Sequence, residues 1–455
     1  MHKLRNAWET LRASLWFVPT LIVAAAVALA VGLIEIDAAG YDWKLADRLP
    51  RLFGAGADGS RGLLAAIAGS MITVAGTTFS ITIVALAQAS SQYTSRILRN
   101  FMSDRASQSV LGVFVGVFAY CLIVLRTIRG GDEVLFVPSL SVLVGLVLAF
   151  VAIGFLIFFI HHTAASIQAS SVIAAAAEET LRAVDRLFPE GVGEAADDQV
   201  GDAESNDVMA HTWITIPARK TGYIQAIDAD ALFDLARQCE SVVRMERGVG
   251  EFVIEDAPLA SMAGKQPDDE AIEKLNAAYT VGRHRTVHQD AAFGIRQIVD
   301  VALKALSPGI NDTTTAVNCL DYLGAILARV AARTVETPHR KDDGRVRLIA
   351  RGPTFAGLVA DAFDQIRQNA EGNVAILARL LQVLEIIAGR TSDPRRRQAL
   401  ARQADLVAET AKRSVPSAHD RATIQTGADR FSASGERSKQ QENSALNLDL
   451  SSRGR

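Results

Sequence analysis

Four long apolar stretches crowd the first third of this 455-residue chain, and they constrain the fold more than any other feature. A helix needs about 20 apolar residues to cross a bilayer, because every backbone N–H and C=O in lipid must be bonded within the segment. The stretches run over about 15–36, 62–87, 110–128 and 134–160. The first follows Lys3, Arg5 and Arg12, as a secretory signal would. Its apolar run is longer than a signal's, and three more follow, so it reads as a retained helix. The expected class is mainly α: a four-helix transmembrane region over 1–162, then a cytoplasmic α+β region.

Basic residues set the expected orientation. Lys3, Arg5 and Arg12 precede the first span, and Arg96, Arg99 and Arg105 lie between the second and third. An even number of spans puts both termini on one side. The mixed-charge C-terminal region, with Cys239 and Cys319 in no CxxC pair, suits the cytoplasm. The expected location is the bacterial inner membrane, multi-pass, with both termini cytoplasmic.

The second span reads GLLAAIAGSMITVAGTTFSITIVALAQASSQYTSR. Ser70, Thr73, Thr77 and Ser80 recur at helical spacing and form a polar stripe. Ala65, Gly69, Thr73 and Thr77 make an adjoining ladder of small residues. Hydroxyls facing lipid gain nothing, so this face is expected to meet protein or water. Packing against other helices is one reading. A water-lined path, with each subunit of a homo-oligomer contributing this helix, is the other. Gly112 and Gly116 in the third span form a GxxxG packing face. No ionisable side chain sits mid-span, which speaks against a proton-coupled carrier.

Past the fourth span come His161 and His162, then an Ala-rich helix and an acidic, Gly-containing linker that ends near 208. Short β-branched runs at 212–216, 222–227, 241–245 and 251–254 predict a small barrel- or sandwich-like β subdomain over 209–264. The region 265–413 is expected to be mostly helical, with one strand near 345–350, and 414–455 to be a polar, disordered tail.

The chemistry-bearing motifs exclude more than they assert. No phosphate-binding Gly-rich loop and no GxSxG elbow is present. The slightly negative net charge gives no basic field for nucleic acid. His284 and His288 share helical spacing, but no third ligand follows, so no metal site is assigned. Either Gln289 or Asp290 is expected to cap the helix after them, and Arg296 and Asp300 to pair at i, i+4. In SPGINDTTTA, Pro308 and Gly309 form a turn, and Asn311 or Asp312 caps the next helix. The N–H groups of that helix start, with Thr313 and Thr314, are a candidate ligand or anion site. No catalytic set and no cofactor site can be assembled, so an enzyme is not expected.

The run FSITIVALAQASSQYTSRILRNF, joined to FGIRQIVDVALKALSPGINDTTTA, resembles a bacterial predicted membrane protein family, domain of unknown function 2254. The likeness extends to about Arg413. That family often has proline where this chain has Thr94 and Thr313, and an acidic residue where it has His284. The resemblance implies membrane location and this architecture, and implies no particular activity. Two functions are carried forward. One is an oligomeric channel or solute-conducting protein, with Ser70, Thr73, Thr77 and Ser80 lining the path and the cytoplasmic region as vestibule or gate. The alternative is a membrane-anchored sensor or scaffold that binds a ligand or partner near Asn311 and Asp312.

Overall fold

The computed structural model describes residues 16–39, 56–92, 104–129, 136–166, 168–187, 212–264, 266–333 and 339–431. Several sequence expectations fall outside those residues: the basic residues Lys3, Arg5, Arg12, Arg96 and Arg99, the acidic linker, and the tail beyond 431. The chain divides into two compact units, Met1–Val172 and Ile173–Arg455.

Among the described residues the first unit holds four helices long and apolar enough to cross a membrane: α1 (Phe17–Ala38), α2 (Ala57–Gln92), α3 (Arg105–Thr127) and α4 (Ser139–Ser166). Helix ends follow local chemistry that hydropathy alone does not show. Asp104 starts α3 about a turn earlier than the apolar run, because its carboxylate accepts the N–H groups of Ala106 and Ser107. Pro138 precedes α4, which begins at Ser139 rather than near 134.

Helix α3 is the hub of this unit, burying Val110, Phe114, Val117, Tyr120 and Val124. Its GxxxG face is used within the chain. A Cβ on Gly112 would come within 2.9 Å of Pro19 and of Ile22 on α1, and one on Gly116 within 3.3 Å of Ala26. On another side the Tyr120 hydroxyl donates to the Ser141 carbonyl at 2.8 Å. Asp37, at the end of α1, caps α4 by accepting from the Leu140 and Ser141 N–H groups and the Ser141 hydroxyl. At the opposite end, His162 lies 2.9 Å from the Asp104 carboxylate and stacks on Phe158. The histidine in the last turn of α4 therefore ties to the start of α3.

Helix α5 (Ala169–Leu187) begins in the last residues of the first unit and continues as the start of the second. The strands are β1 (Trp213–Pro217), β2 (Gly222–Ile227), β3 (Val243–Met245), β4 (Phe252–Val253), β5 (Pro258–Ala263), β6 (Tyr279–Gly282), β7 (His339–Asp342) and β8 (Arg345–Ile349). They form a five-stranded sheet in the order β1-β5-β3-β8-β7 and a three-stranded sheet in the order β4-β2-β6. The β structure is thus not confined to 209–264. The hairpin β7–β8 joins the larger sheet through a parallel β3–β8 pairing, and β6 joins the smaller one. Strand β5, in the segment PLASMA, pairs with both β1 and β3 and is buried on both faces, so it shows no alternation to betray it. Helices α6 (Ala229–Gln238) and α7 (Asp269–Ala278) contribute Leu232, Leu235 and Leu275 to the core these sheets share.

The remaining helices are α8 (Ala291–Ala305), α9 (Thr313–Ala331), α10 (Phe355–Asn369), α11 (Val374–Ala388) and α12 (Pro394–Ser414). Each starts at a short polar cap: Asp290, Asp312, Thr354, Asn373 and Asp393. Of the two caps expected for α8, the structure selects Asp290. A further helix, α13, spans residues 418–431 and buries Ile424, Ala428 and Phe431, so this stretch is not the disordered tail its polar composition suggests. Three widely spaced apolar residues on one face suffice to dock it.

Candidate functional site

Helix α2 carries the site residues singled out in the sequence. About 3.6 residues per turn put Leu64, Ile67, Ala68, Met71, Ala75 and Thr78 on one face, and all are buried within the unit. The opposite face holds Gly62, Ala65, Gly69, Ser70, Thr73, Gly76, Thr77 and Ser80, and all are exposed. A methyl placed on Gly62, Gly69 or Gly76 would meet no atom within 4 Å. This is the reverse of Gly112 and Gly116, which α1 covers. The sequence ladder Ala65, Gly69, Thr73, Thr77 belongs to the open face. Overlooked in the sequence was the seven-residue spacing of Gly62, Gly69 and Gly76, a helix-packing period readable without a structure.

The hydroxyls on this face are internally satisfied. Ser70 donates to the Ala66 carbonyl at 2.8 Å, Thr73 to Gly69 at 2.9 Å, Thr77 to Thr73 at 3.0 Å and Ser80 to Gly76 at 2.9 Å. Back-bonding to the i−4 carbonyl removes the cost of a bare donor in lipid. The expectation that these hydroxyls must find protein or water is therefore weakened by the geometry. What they still offer outward is oxygen lone pairs, on a face that begins at the exposed Asp58 and is flanked by the exposed Ile72 and Phe79.

In the second unit, Asn311, Asp312, Thr313 and Thr314 sit at the start of α9. Asn311 holds a left-handed backbone, φ 49°, which lets the chain turn sharply into the helix. The Asp312 carboxylate accepts from the Thr315 N–H at 3.0 Å and the Thr315 hydroxyl at 2.5 Å. The Thr315 hydroxyl and then its N–H hold the Asp312 carboxyl below the usual carboxylate pKa. An anion of the chain's own already occupies this helix start. The Thr313 hydroxyl accepts from the Asn373 side chain at 3.1 Å, which ties the starts of α9 and α11 together. These contacts support a cap more directly than a ligand site.

The motif GRHRTVHQD is organised around Asp290. Arg285 reaches it with Nε at 2.9 Å and Nη2 at 3.0 Å, while Asp290 also accepts from the Phe293 N–H at 2.9 Å. Burial raises the Asp290 pKa, and Arg285 and the Phe293 N–H only partly offset it. Gly250 lies against this pair with φ 84°, and a Cβ there would collide with the Asp290 carboxylate and the Arg285 guanidinium. Arg296 and Asp300 pair at 2.9 Å, as their spacing predicts. Among the described residues no group of three His, Cys, Asp or Glu side chains is placed to hold a metal, His284 and His288 included.

The family described as "Predicted membrane protein (DUF2254)" matches residues 12–386. An uncharacterized protein of Mycobacterium tuberculosis is 33% identical over 431 residues, covering 93% of this chain and 81% of that protein. An uncharacterized protein of Mycobacterium bovis matches with the same identity and coverage. No solved structure matches the chain.

Proposed function

We propose that this chain, which belongs to the DUF2254 family of predicted membrane proteins, is an oligomeric channel or solute-conducting protein of the bacterial inner membrane. Copies of α2 meet through the face of Gly62, Gly69 and Gly76, and Ser70, Thr73, Thr77 and Ser80 line the path between them. The single observation that supports this reading is the open, small-residue face of α2, opposite the face that packs into the unit. Glycines seven residues apart favour a shallow left-handed crossing, and lacking Cβ atoms they let backbones approach closely. A lining of hydroxyl oxygens without charge passes small polar solutes or ions with little selectivity. Both termini and the second unit lie in the cytoplasm in this reading, where the unit serves as vestibule or gate. No enzymatic step is assigned to the chain.

The test is conductance of the purified protein in planar bilayers beside Thr77→Leu. Discrete currents that Thr77→Leu reduces several-fold are the expected outcome. Silence from folded protein under voltage, tension and varied salt would sink the channel reading. It would shift weight to a membrane-anchored sensor or scaffold acting through the loop at Asn311 and Asp312.

A further inference from the structure

The three-stranded sheet of the second unit turns one face outward. Tyr223 of β2 pairs in register with Phe252 of β4, so the two share that face, and Ile254 follows two residues along. The residues between them point inward: Val253 and Ile224 are buried in the core. The Tyr223 and Phe252 rings meet edge-on with centroids 5.0 Å apart. Phe252 is 48% exposed and Ile254 61%. The other large exposed apolar residues described in this unit, Ile310, Tyr322 and Ile386, stand singly on separate segments. Scattered single residues need no explanation, whereas an adjacent set beside an aromatic ring on an edge strand does.

Cations surround this set. Arg219 and Lys220 are exposed in the turn before β2, and Arg283 is exposed directly after β6. The turn is bound to the Phe252–Ile254 hairpin, since the Glu255 N–H donates to the Thr221 hydroxyl at 2.9 Å and the Asp256 N–H to the Ala218 carbonyl at 2.8 Å. Glu255 and Asp256 are the exposed acids of the same hairpin. Aromatic and branched apolar side chains rimmed by Arg and Lys match the boundary between acyl chains and phosphate headgroups. A bilayer is also always at hand. The fourth membrane helix ends at Ser166 and α5 begins at Ala169, so the second unit is tethered at high effective concentration.

We infer that the face carrying Tyr223, Phe252 and Ile254 docks on the surface of an anionic bilayer, with Arg219, Lys220 and Arg283 turned to lipid phosphates. Docking would fix the second unit against the membrane by a contact separate from the covalent connection. It depends on the second unit alone and stands or falls independently of conduction through α2.

The experiment uses the full chain in liposomes containing phosphatidylglycerol, with acyl-brominated lipid as a depth-dependent quencher. Ile254→Trp adds an indole at an exposed position, read as the difference from the native chain with its four tryptophans. Blue-shifted added emission that brominated lipid quenches is the expected result. In a second arm, Arg219→Gln, Lys220→Gln and Arg283→Gln are each added to Ile254→Trp. Each should lower the ratio of docked to undocked protein about five-fold, the usual contribution of one cation near an anionic surface. Added emission that stays at the wavelength of a water-exposed indole and is not quenched overturns the inference. So does a blue shift without lipid quenching that grows with protein concentration, which would assign the face to a second protein chain. Quenching indifferent to all three charge substitutions overturns the assignment to anionic headgroups.

Discussion

Asp312 and Asp290 both cap helices, yet their surroundings drive them in opposite directions. Hydrogen bonds from Thr315 lower the Asp312 pKa, so its ionised form stabilises the fold above the unfolded value of about 4, and that contribution is lost as pH falls through the folded value. Burial raises the Asp290 pKa, so its contribution is largest below the unfolded value and declines as pH rises through the folded one. Asp312→Ala should destabilise the second unit by about 1 kcal/mol at neutral pH. The gap to the native chain should close in acid, as measured by hydrogen exchange of α9 between pH 7 and 3. A pH-independent gap would contradict the assignment to an ionised cap. Loss of function with unchanged stability would instead revive the ligand site at this loop. Gly250→Ala introduces strain at φ 84° and presses on the Asp290–Arg285 pair, so a loss of about 2 kcal/mol is expected in the same assay. The caps were legible because a cap is a contact over two or three residues. The role of Gly250 was not, because its partner is forty residues further along the chain.

At the scale of elements, the molecule contains two small-residue helix faces that look alike in sequence and differ in what covers them. Gly112→Leu should clash with α1 and lower the melting temperature of the protein in detergent, without requiring any second copy. Gly69→Leu should leave that melting temperature within error and reduce the subunit number seen by native mass spectrometry. A Gly69→Leu protein with unchanged subunit number would remove the support for α2 as an interface. The strands show the same limit of local reading. Alternation and β-branched residues revealed β1 to β4 approximately, whereas β5 has the composition of a helix and becomes a strand only because β1 and β3 flank it. Strand β6 lies in the region expected to be mostly helical, and β7 shows no strand signal because its HRKD sequence carries no apolar pattern at a sheet edge.

At the scale of the whole molecule, the cysteines offer a direct test of orientation. Cys121 and Cys319 are buried and Cys239 is exposed. Burial pushes the Cys319 thiol up to about 12, which keeps it unreactive near neutral pH. A membrane-impermeant maleimide should therefore label Cys239 in inside-out vesicles and spare it in intact cells, if the second unit is cytoplasmic. Labelling from the outer side, read by mass spectrometry, would reverse the orientation.

The sequence by itself determined the number of apolar spans, the mainly helical class and the starts of α8 and α9. These depend on apolar length, 3.6-residue periodicity and caps, which act within a few residues of the chain. Tertiary structure alone decided which face of α2 stays open, which strands share a sheet and what surrounds Asp290. It also joined Asp37 to Ser141, 104 residues away, and Asp185 to Arg329, 144 residues away. Those choices follow from competition among surfaces brought together from distant parts of the chain. The small residues of α3 pack on α1, whereas the small-residue face of α2 meets no partner among the described residues.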